Sequence, residues 1–419
     1  MKYRSVRGMH DILPEAIGRW KVVEEKIKEL MIRYRYHEIR PPLLEYTELF
    51  KRGIGEDSDL VGKEMYTFPD KRGRSLTLRP EATASVVRAY LEHGIYAKEP
   101  LQKLYYLGPM FRYEKPQKGR SRQFHQYGVE AIGSIDPALD VEVIDIAWAL
   151  LEELGLSGLS LRLNSIGCQA DHKRYRQELK DYFTTRLESM CENCQQRCRT
   201  NPLRILDCKK EECQLHIQSA PASVDYLCSD CSRHFTAVRN YLEQLNLAYV
   251  IDPHLVRGLD YYTRTVFELI SSHLGAQDSL LGGGRYDNLV EIFGGPSTPA
   301  VGFAGGMERL ILVLQKRKER TNVMVRPDLF IAALGDESRP LVISLAQQLR
   351  RKDISLDIDY RSRSLRKQMT YANQINARNI IVIGPDEIAS GTGRIKDMDS
   401  GLERKVSLKP AEIQAAMEK

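Results

Sequence analysis

The chain has 419 residues, which is enough for two or three domains. Its hydrophobic content of 42% and charged content of 28% are ordinary for a globular protein, and a net charge of +6 is compatible with nucleic-acid binding without establishing it. No apolar run approaches the roughly 20 residues of a membrane span. Residues 1–15 lack the apolar core of a signal peptide. We therefore predict a cytoplasmic protein that does not insert into membranes.

The first long element, residues 14–36, has the spacing of an amphipathic helix. Ile17, Trp20 and Ile27 fall on one stripe of that helix, with charges on the other side. The segment HEIRPPLLEYTELF follows, and Pro41 and Pro42 predict that it is extended. Such a helix and strand would cover a sheet or pair with a second subunit.

Residues 64–94 predict a hairpin with a DKRGR turn, which leads into SLTLRPEAT and then into an amphipathic helix. Glu81 and Thr83 lie where this strand passes into the helix, a position from which side chains commonly reach a binding site. The alternative for Thr83 is that its hydroxyl caps the helix.

The central stretch is residues 104–130, LYYLGPMFRYEKPQKGRSRQFHQYGVE, which predicts two strands joined by a basic loop. Because side chains alternate along a strand, Phe124, Gln126 and Glu130 share one face. If the polar face of the first strand aligns with it, the surface would bind a phosphate on Arg112, a flat base on Phe124 and a small polar molecule between Gln126 and Glu130. An ordinary basic surface hairpin is the alternative.

Residues 168–250 differ in character, with amphipathic helices around a cysteine-rich stretch, and we predict a subdomain inserted into the catalytic sheet. Two pairs, Cys191/Cys194 and Cys228/Cys231, have the CxxC spacing of two zinc ligands each. The stretch between the pairs is longer than in usual zinc ribbons. Thiols that only pack the subdomain are the alternative, and no metal ligand is assigned.

Three further segments complete the first 316 residues. LVRGLDYY places Arg257 before Gly258, where the backbone can approach a ligand closely. LLGGGRYD contains three glycines, which we predict to form a tight bend rather than a phosphate cradle. In GFAGGMERL, Arg309 lies on an apolar helix and needs a polar partner.

The C-terminal part predicts a separate domain after a charged linker, Gln315–Pro327. Strands alternate with helices, which is typical of a small α/β domain with a largely parallel sheet. A basic cluster follows the strand SLDIDY, where ligand sites of α/β domains lie, although it could equally be solvated surface. The cluster consists of Arg361, Arg363, Arg366 and Lys367.

Almost the whole chain resembles the histidyl-tRNA synthetases, a family of class II aminoacyl-tRNA synthetases. FRYEKPQKGRSRQFHQYGVE resembles the family's motif 2, GFAGGMERL its motif 3 and IRPPLLE its motif 1. LVRGLDYY and GGGRYD match two signatures peculiar to the histidine enzymes. Five motifs in the family's order are much more specific than any one of them.

The resemblance implies an α+β fold: an antiparallel class II sheet with flanking helices in residues 1–325, interrupted by the insertion at 168–250. It implies a C-terminal α/β anticodon-binding domain in residues 326–419, and a homodimer formed around motif 1. One departure concerns Ala82, which stands where the family usually has glycine. A methyl group there could crowd the bound histidine.

The activity implied is histidine–tRNA ligation. Histidine and ATP would form histidyl-adenylate and pyrophosphate, with Mg²⁺ expected on the phosphates, and the histidyl group would pass to the 3′ end of the histidine tRNA. By resemblance, Arg112 and Arg257 are the catalytic residues at the α-phosphate, Arg309 holds the terminal phosphates and Phe124 stacks on adenine. The implied histidine-binding residues are Glu81, Ala82, Thr83, Gln126, Glu130, Tyr261 and Tyr262.

The loop between the motif 2 strands is expected to contact the acceptor end of the tRNA through Gln117, Lys118 and Arg120. Two other functions are alternatives. One is the histidine-sensing regulatory subunit of ATP phosphoribosyltransferase, which generally lacks the C-terminal domain and an intact LVRGLDYY segment. The other is a catalytically inactive RNA-binding protein, against which the intact arginines argue.

Overall fold

The computed structural model describes residues 3–55, 58–97, 99–117, 119–271, 279–316 and 326–417. The chain divides into two compact units, Met1–Asn322 and Val323–Lys419. Most of the predicted linker lies outside the described residues. Among the described helices, none combines the length and the apolar character that a membrane span requires.

The described residues of the first unit form two sheets. Its strands are, in chain order, β1 (His37–Glu38), β2 (Leu44–Tyr46), β3 (Tyr66–Pro69), β4 (Ser75–Leu78), β5 (Gln102–Phe111), β6 (Gln123–Ile132), β7 (Leu159–Ser165), β8 (Tyr249–Ile251), β9 (Thr263–Ser271), β10 (Ser279–Arg285) and β11 (Ala300–Gly306). Eight of them form one sheet in the order β1–β5–β6–β11–β10–β9–β7–β8, and β2–β4–β3 form a small antiparallel sheet. Among the described strand pairs of the large sheet, β1/β5 and β7/β8 at its two edges are parallel and the others are antiparallel. The predicted antiparallel sheet is therefore confirmed.

The helices of the first unit flank these strands. They are α1 (Pro14–Tyr34), α2 (Thr47–Ile54), α3 (Thr83–Glu92), α4 (Pro137–Glu153), α5 (Gln169–Thr184), α6 (Glu192–Thr200), α7 (Glu211–Ile217), α8 (Ser229–Gln244), α9 (Leu289–Ile292) and α10 (Met307–Lys316). α4 begins with Pro137, and the Asp136 carboxylate accepts a hydrogen bond from the Ala138 N–H. The predicted extended segment after α1 ends at Tyr46, because α2 begins at Thr47.

The large sheet has a different core on each face, as β6 illustrates. Tyr127, Val129 and Ala131 point to one face, where they pack in the main apolar core with residues of α1, α4 and α10. The alternate residues of β6 point to the other face, where a second, smaller cluster contains Tyr106 and Met110 of β5. The period of two along the strand therefore separates the main core from the face that carries the polar residues.

The insertion joins two neighbouring strands at one edge of the large sheet. β7 and β8 pair in parallel, and α5 to α8 lie between them in the chain. The insertion has a small core of its own, in which Tyr175, Leu179 and Phe183 of α5 pack with five of the chain's cysteines. Its helices leave the sheet after β7 and return to the adjacent strand.

The second unit is an α/β domain. Its elements are β12 (Leu329–Ala333), α11 (Arg339–Arg350), β13 (Leu356–Ile358), α12 (Leu365–Gln374), β14 (Asn379–Ile383), α13 (Pro385–Ser390), β15 (Thr392–Asp397), β16 (Glu403–Ser407) and α14 (Pro410–Met417). The sheet order is β13–β12–β14–β15–β16. The first three strands are parallel, but β15 and β16 are antiparallel, so the sheet is mixed rather than largely parallel.

Candidate functional site

The motif 2 hairpin forms the floor of the candidate site. β5 and β6 pair from Gln102/Ile132 to Phe111/Gln123, and Arg112 follows directly after β5. Phe124 packs against the second cluster, Gln126 is buried and Glu130 is fully buried on the same face. The structure therefore brings these side chains onto one surface, as the alternation along β6 predicts.

Glu130 is a buried carboxylate with two hydroxyl donors. The Thr83 hydroxyl donates to Glu130 Oε1 at 2.6 Å, and the Tyr286 hydroxyl donates to Oε2. Burial raises the pKa of Glu130 to about 8, although both hydrogen bonds oppose this shift. Any side chain at Gly302 on the neighbouring strand would overlap Oε2, so the glycine leaves room for the carboxylate.

The start of α3 contributes Glu81 and Thr83. The Glu81 carboxylate accepts hydrogen bonds from the N–H groups of Thr83 (2.6 Å) and Ala84 (3.0 Å), so Glu81 caps the helix. The alternative in which the Thr83 side chain caps the helix is wrong, because its hydroxyl is directed at Glu130 instead. Burial raises the pKa of Glu81.

Ala82 has backbone angles of φ −111° and ψ −18°, which any residue adopts. Its methyl group is fully buried in the second apolar cluster beside Val86. The backbone at this position therefore does not require the family's glycine.

Two tyrosines from LVRGLDYY and a third from GGGRYD form an aromatic wall. The ring centroids of Tyr261 and Tyr262 lie 4.8 Å apart, and those of Tyr261 and Tyr286 lie 5.7 Å apart. All three rings are buried. Tyr286 was not predicted as a site residue, although it lies within the quoted GGGRYD signature; its contact with Glu130 depends on the pairing of distant strands.

Arg257 lies over β10. Its Nη1 donates to Glu268 Oε1 at 2.8 Å, and the Ser279 hydroxyl donates to the same oxygen at 2.6 Å. Burial opposes ionisation of Glu268, but the charge of Arg257 and the Ser279 hydroxyl outweigh it and lower the pKa of Glu268. A side chain at Gly282 would overlap the Arg257 guanidinium.

The three glycines of LLGGGR form part of strand β10, so the predicted tight bend is wrong. Each glycine leaves room for a different neighbour: the Arg257 side chain at Gly282, the β11 backbone at Gly283 and the β9 backbone at Gly284. The pattern therefore reflects close approach across a sheet rather than a turn.

Arg112 and Arg309 add positive charge near the loop of the hairpin. Arg112 Nε donates to the Pro80 carbonyl at 2.9 Å, and its guanidinium carbon lies 5.2 Å from the Phe124 ring centroid. Arg309 Nη1 donates to the Ser279 carbonyl at 2.8 Å. Burial lowers the pKa of Arg309, and the charges of Arg120 and Arg112 act in the same direction.

Two of the predicted site residues each have one buried polar atom with no hydrogen-bond partner among the residues that the structure describes. These atoms are Gln126 Oε1 and Arg257 Nε. Buried polar groups are normally paired, so both atoms are suited to contact a bound molecule.

The loop after Arg112 carries the predicted tRNA contacts. Gln117 and Arg120 are exposed and form a bridge across the turn at Gly119, which has φ +77°. Arg120 also forms an ion pair with Glu114 at 3.1 Å. Lys118 lies outside the described residues.

The family model described as "Histidyl-tRNA synthetase" matches residues 8–310, and the model "Anticodon binding domain" matches residues 328–416. Histidine–tRNA ligases of Natranaerobius thermophilus and Desulforudis audaxviator are 48% and 50% identical to this chain, over 98% and 96% of both sequences. The crystal structure of the apo histidyl-tRNA synthetase of S. aureus is 38% identical, with a TM-score of 0.82 and 99% of both chains covered. The chain belongs to the histidyl-tRNA synthetase family.

Membership in the histidyl-tRNA synthetase family confirms the predicted class II fold with its C-terminal domain and the predicted aminoacyl-tRNA ligase activity. The alternative of a regulatory subunit is not favoured, because histidine–tRNA ligases match the chain over nearly its full length.

The cysteines do not group as their spacing predicts. The sulfur atoms of Cys191 and Cys194 are close to those of Cys208 and Cys213. The sulfur atoms of Cys228 and Cys231 are instead close to Cys168 and to the Asp171 carboxylate. The two CxxC pairs therefore belong to different clusters, and a single zinc site that joins both pairs is wrong. Sequence spacing cannot reveal this grouping, because the helices of the insertion determine which pairs meet.

Proposed function

We propose that this site activates L-histidine with ATP and transfers the histidyl group to the histidine tRNA. The observation that carries the proposal is the buried Glu130 carboxylate, which lies on the same face of β6 as Phe124. Arg112 lies at the opposite end of the hairpin, beside the loop. One end of this surface offers paired hydrogen-bonding groups and the other offers positive charge.

Histidine recognition is proposed for the end that contains Glu130. A neutral imidazole has one N–H donor and one acceptor nitrogen. Glu130 would accept from the N–H, and the hydroxyl of Tyr262 would donate to the other nitrogen. Tyr261 would line the pocket, while Glu81, Thr83 and Gln126 would hold the amino and carboxylate groups. Ala82 lies beside this pocket, where its buried methyl group would limit the space. Apolar analogues would leave these groups unpaired and be rejected by roughly 10⁴-fold.

ATP is proposed to bind at the arginine end. Phe124 would stack on adenine, Arg112 and Arg257 would contact the α-phosphate, and Arg309 would contact the terminal phosphates. The histidine carboxylate attacks the α-phosphate, and the bond to pyrophosphate breaks. The protein supplies orientation and charge rather than covalent chemistry in such a step. Ser279 supports this arrangement, because it connects Arg309 to Glu268 and thereby to Arg257.

Mg²⁺ is expected to accompany ATP. Mg²⁺ prefers oxygen ligands, which the phosphates of ATP supply, and it would neutralise part of the phosphate charge when bound.

The tRNA is proposed to contact two surfaces. Its acceptor end would lie on the loop with Gln117, Lys118 and Arg120, and a ribose hydroxyl would take the histidyl group from the adenylate. The C-terminal domain would bind the anticodon, since Tyr360, Arg361 and Arg366 are exposed after β13 and could stack on and attract unpaired bases.

A homodimer is proposed around the segment that resembles motif 1. Leu43, Leu44 and Tyr46 are exposed apolar residues on and beside β2, which is an edge strand of the small sheet. An exposed apolar edge of this kind is suited to pair with a second subunit. A cytoplasmic location is proposed because tRNA is the partner.

Histidine-dependent exchange of pyrophosphate into ATP tests the proposal. The protein should catalyse exchange with histidine and not with phenylalanine, and should charge histidine tRNA in the presence of Mg²⁺. An absence of exchange at saturating histidine, with histidine binding retained, would instead favour an inactive histidine sensor.

A further inference from the structure

Four of the insertion's cysteines converge on one point. The sulfur atoms of Cys191, Cys194, Cys208 and Cys213 all lie within 4.8 Å of one another, and all four residues are buried. Sulfurs placed about 2.3 Å from a tetrahedral zinc ion lie about 3.8 Å from each other. The distance from Cys191 Sγ to Cys208 Sγ is 3.9 Å. The group therefore has the composition and spacing of a four-cysteine zinc site.

The first turn of α6 contributes to this group of sulfur atoms. Cys191 precedes α6, so Cys191 and Cys194 lie at the positive end of the helix dipole. The Cys191 N–H donates to Cys213 Sγ at 3.4 Å. Arg197 lies three residues after Cys194 on α6 and forms an ion pair with Asp59 at 2.7 Å. Its positive charge would offset part of the negative charge of a four-thiolate site.

The other cysteines have partners of their own. Cys198, also on α6, donates to the Lys180 carbonyl. In the second cluster, the Asp171 carboxylate already accepts hydrogen bonds from the Cys168 N–H, the Cys228 N–H and Arg174. These contacts cap helices and satisfy the carboxylate without a metal. The second cluster is therefore explained by hydrogen bonds, whereas the first consists of thiols facing thiols.

We propose that Cys191, Cys194, Cys208 and Cys213 bind one structural zinc ion per chain. Four thiolates without an open position for water are typical of structural rather than catalytic zinc. The ion would hold the start of α6, residue 208 and α7 together in a subdomain whose own apolar core is small.

The zinc would also stabilise a turn that contacts the histidine site. The turn Pro202–Ile205 lies in the chain between Cys194 and Cys208. Arg204 donates to Asp260 at 2.9 Å, and Asn201 donates to the same oxygen at 3.2 Å. Asp260 directly precedes Tyr261, and Arg204 lines a small cavity together with Arg257. This consequence rests on the proposed function, but the metal site itself does not.

Metal content tests the site. Protein purified without chelators, or reconstituted with zinc alone, should hold one zinc ion per chain by native mass spectrometry and elemental analysis. Cobalt substitution should give the thiolate-to-cobalt charge-transfer bands of a four-sulfur tetrahedral site. Cys208→Ser should lose the metal, and Cys208→His should retain it with an altered cobalt spectrum.

Cys198→Ser and Cys231→Ser are the matched controls, since both remove a buried thiol outside the proposed site, and both should keep one zinc per chain. Wild-type protein that holds no zinc after reconstitution would overturn the proposal, even if a serine variant fails to fold. So would loss of the metal from Cys231→Ser with retention in Cys208→Ser.

For the link to the site, removal of zinc should raise the KM for histidine at least about 3-fold more than the KM for ATP. If the protein binds zinc but its removal changes both KM values equally, the metal site stands and only its connection to histidine binding is wrong.

Discussion

Arg257→Ala removes the guanidinium that is proposed to stabilise the α-phosphate in the transition state. Loss of one such preorganised donor costs about 10²–10³ in rate, or about 3–4 kcal/mol. The substitution also removes the Arg257 hydrogen bond to Glu268, while the hydrogen bond from the Ser279 hydroxyl remains. Because the Arg257 and Glu268 side chains are 21% and 19% exposed, the stability cost should be below the 3–5 kcal/mol of a fully buried pair, at about 1–3 kcal/mol.

The assay is single-turnover formation of histidyl-adenylate at saturating histidine and ATP, with urea unfolding measured in parallel. The double variant Arg257→Ala/Glu268→Gln is the control, because it removes the carboxylate charge that the single variant leaves unpaired. We expect the double variant to regain stability but not rate. A wild-type rate in Arg257→Ala, or recovery of rate together with stability, would show that Arg257 does not act on the reaction.

Three other predictions concern different parts of the chain. Gly282→Ala should slow adenylate formation by about 10-fold or more with little change in Tm, because the methyl group displaces the Arg257 guanidinium; an unchanged single-turnover rate would contradict this. Glu130→Gln should remove a pH dependence of stability. In the folded wild type, burial raises the Glu130 pKa from 4.5 to about 8, so the unfolded chain releases this proton at lower pH. The free energy of unfolding therefore falls by up to about 1.4 kcal/mol per pH unit as the pH rises from 4.5 to 8. Urea unfolding over this pH range should show a smaller change of that free energy for the variant. A chain that ends at residue 325 should keep histidine-dependent exchange but charge tRNA at least about 10-fold more slowly, and equal charging would contradict the anticodon role of the second unit.

Local periodicity was sufficient to predict the face of the motif 2 hairpin. Alternation along β6 is a property of any strand, so it places Phe124, Gln126 and Glu130 on one side without knowledge of the fold. The family resemblance then supplied the antiparallel character of the sheet and the order of the domains, which no local pattern contains.

Contacts between distant segments could not be predicted in the same way. Tyr286 reaches Glu130 only because β10 and β6 both pair with β11. The cap of α3 could not be assigned either, because Glu81 and Thr83 are both suited to it and Glu130, distant in the chain, decides between them. These outcomes depend on tertiary structure rather than on residue type.

The three successive glycines of β10 have a consequence for sequence variation. Each one faces a different neighbour at a distance too short for a side chain, so each position excludes a larger residue for a reason of its own. In a saturation library selected for growth, codons 282–284 should accept synonymous changes almost exclusively. Nearby positions of the same strand that bear ordinary apolar side chains, such as Leu280 and Leu281, should exchange freely among aliphatic residues.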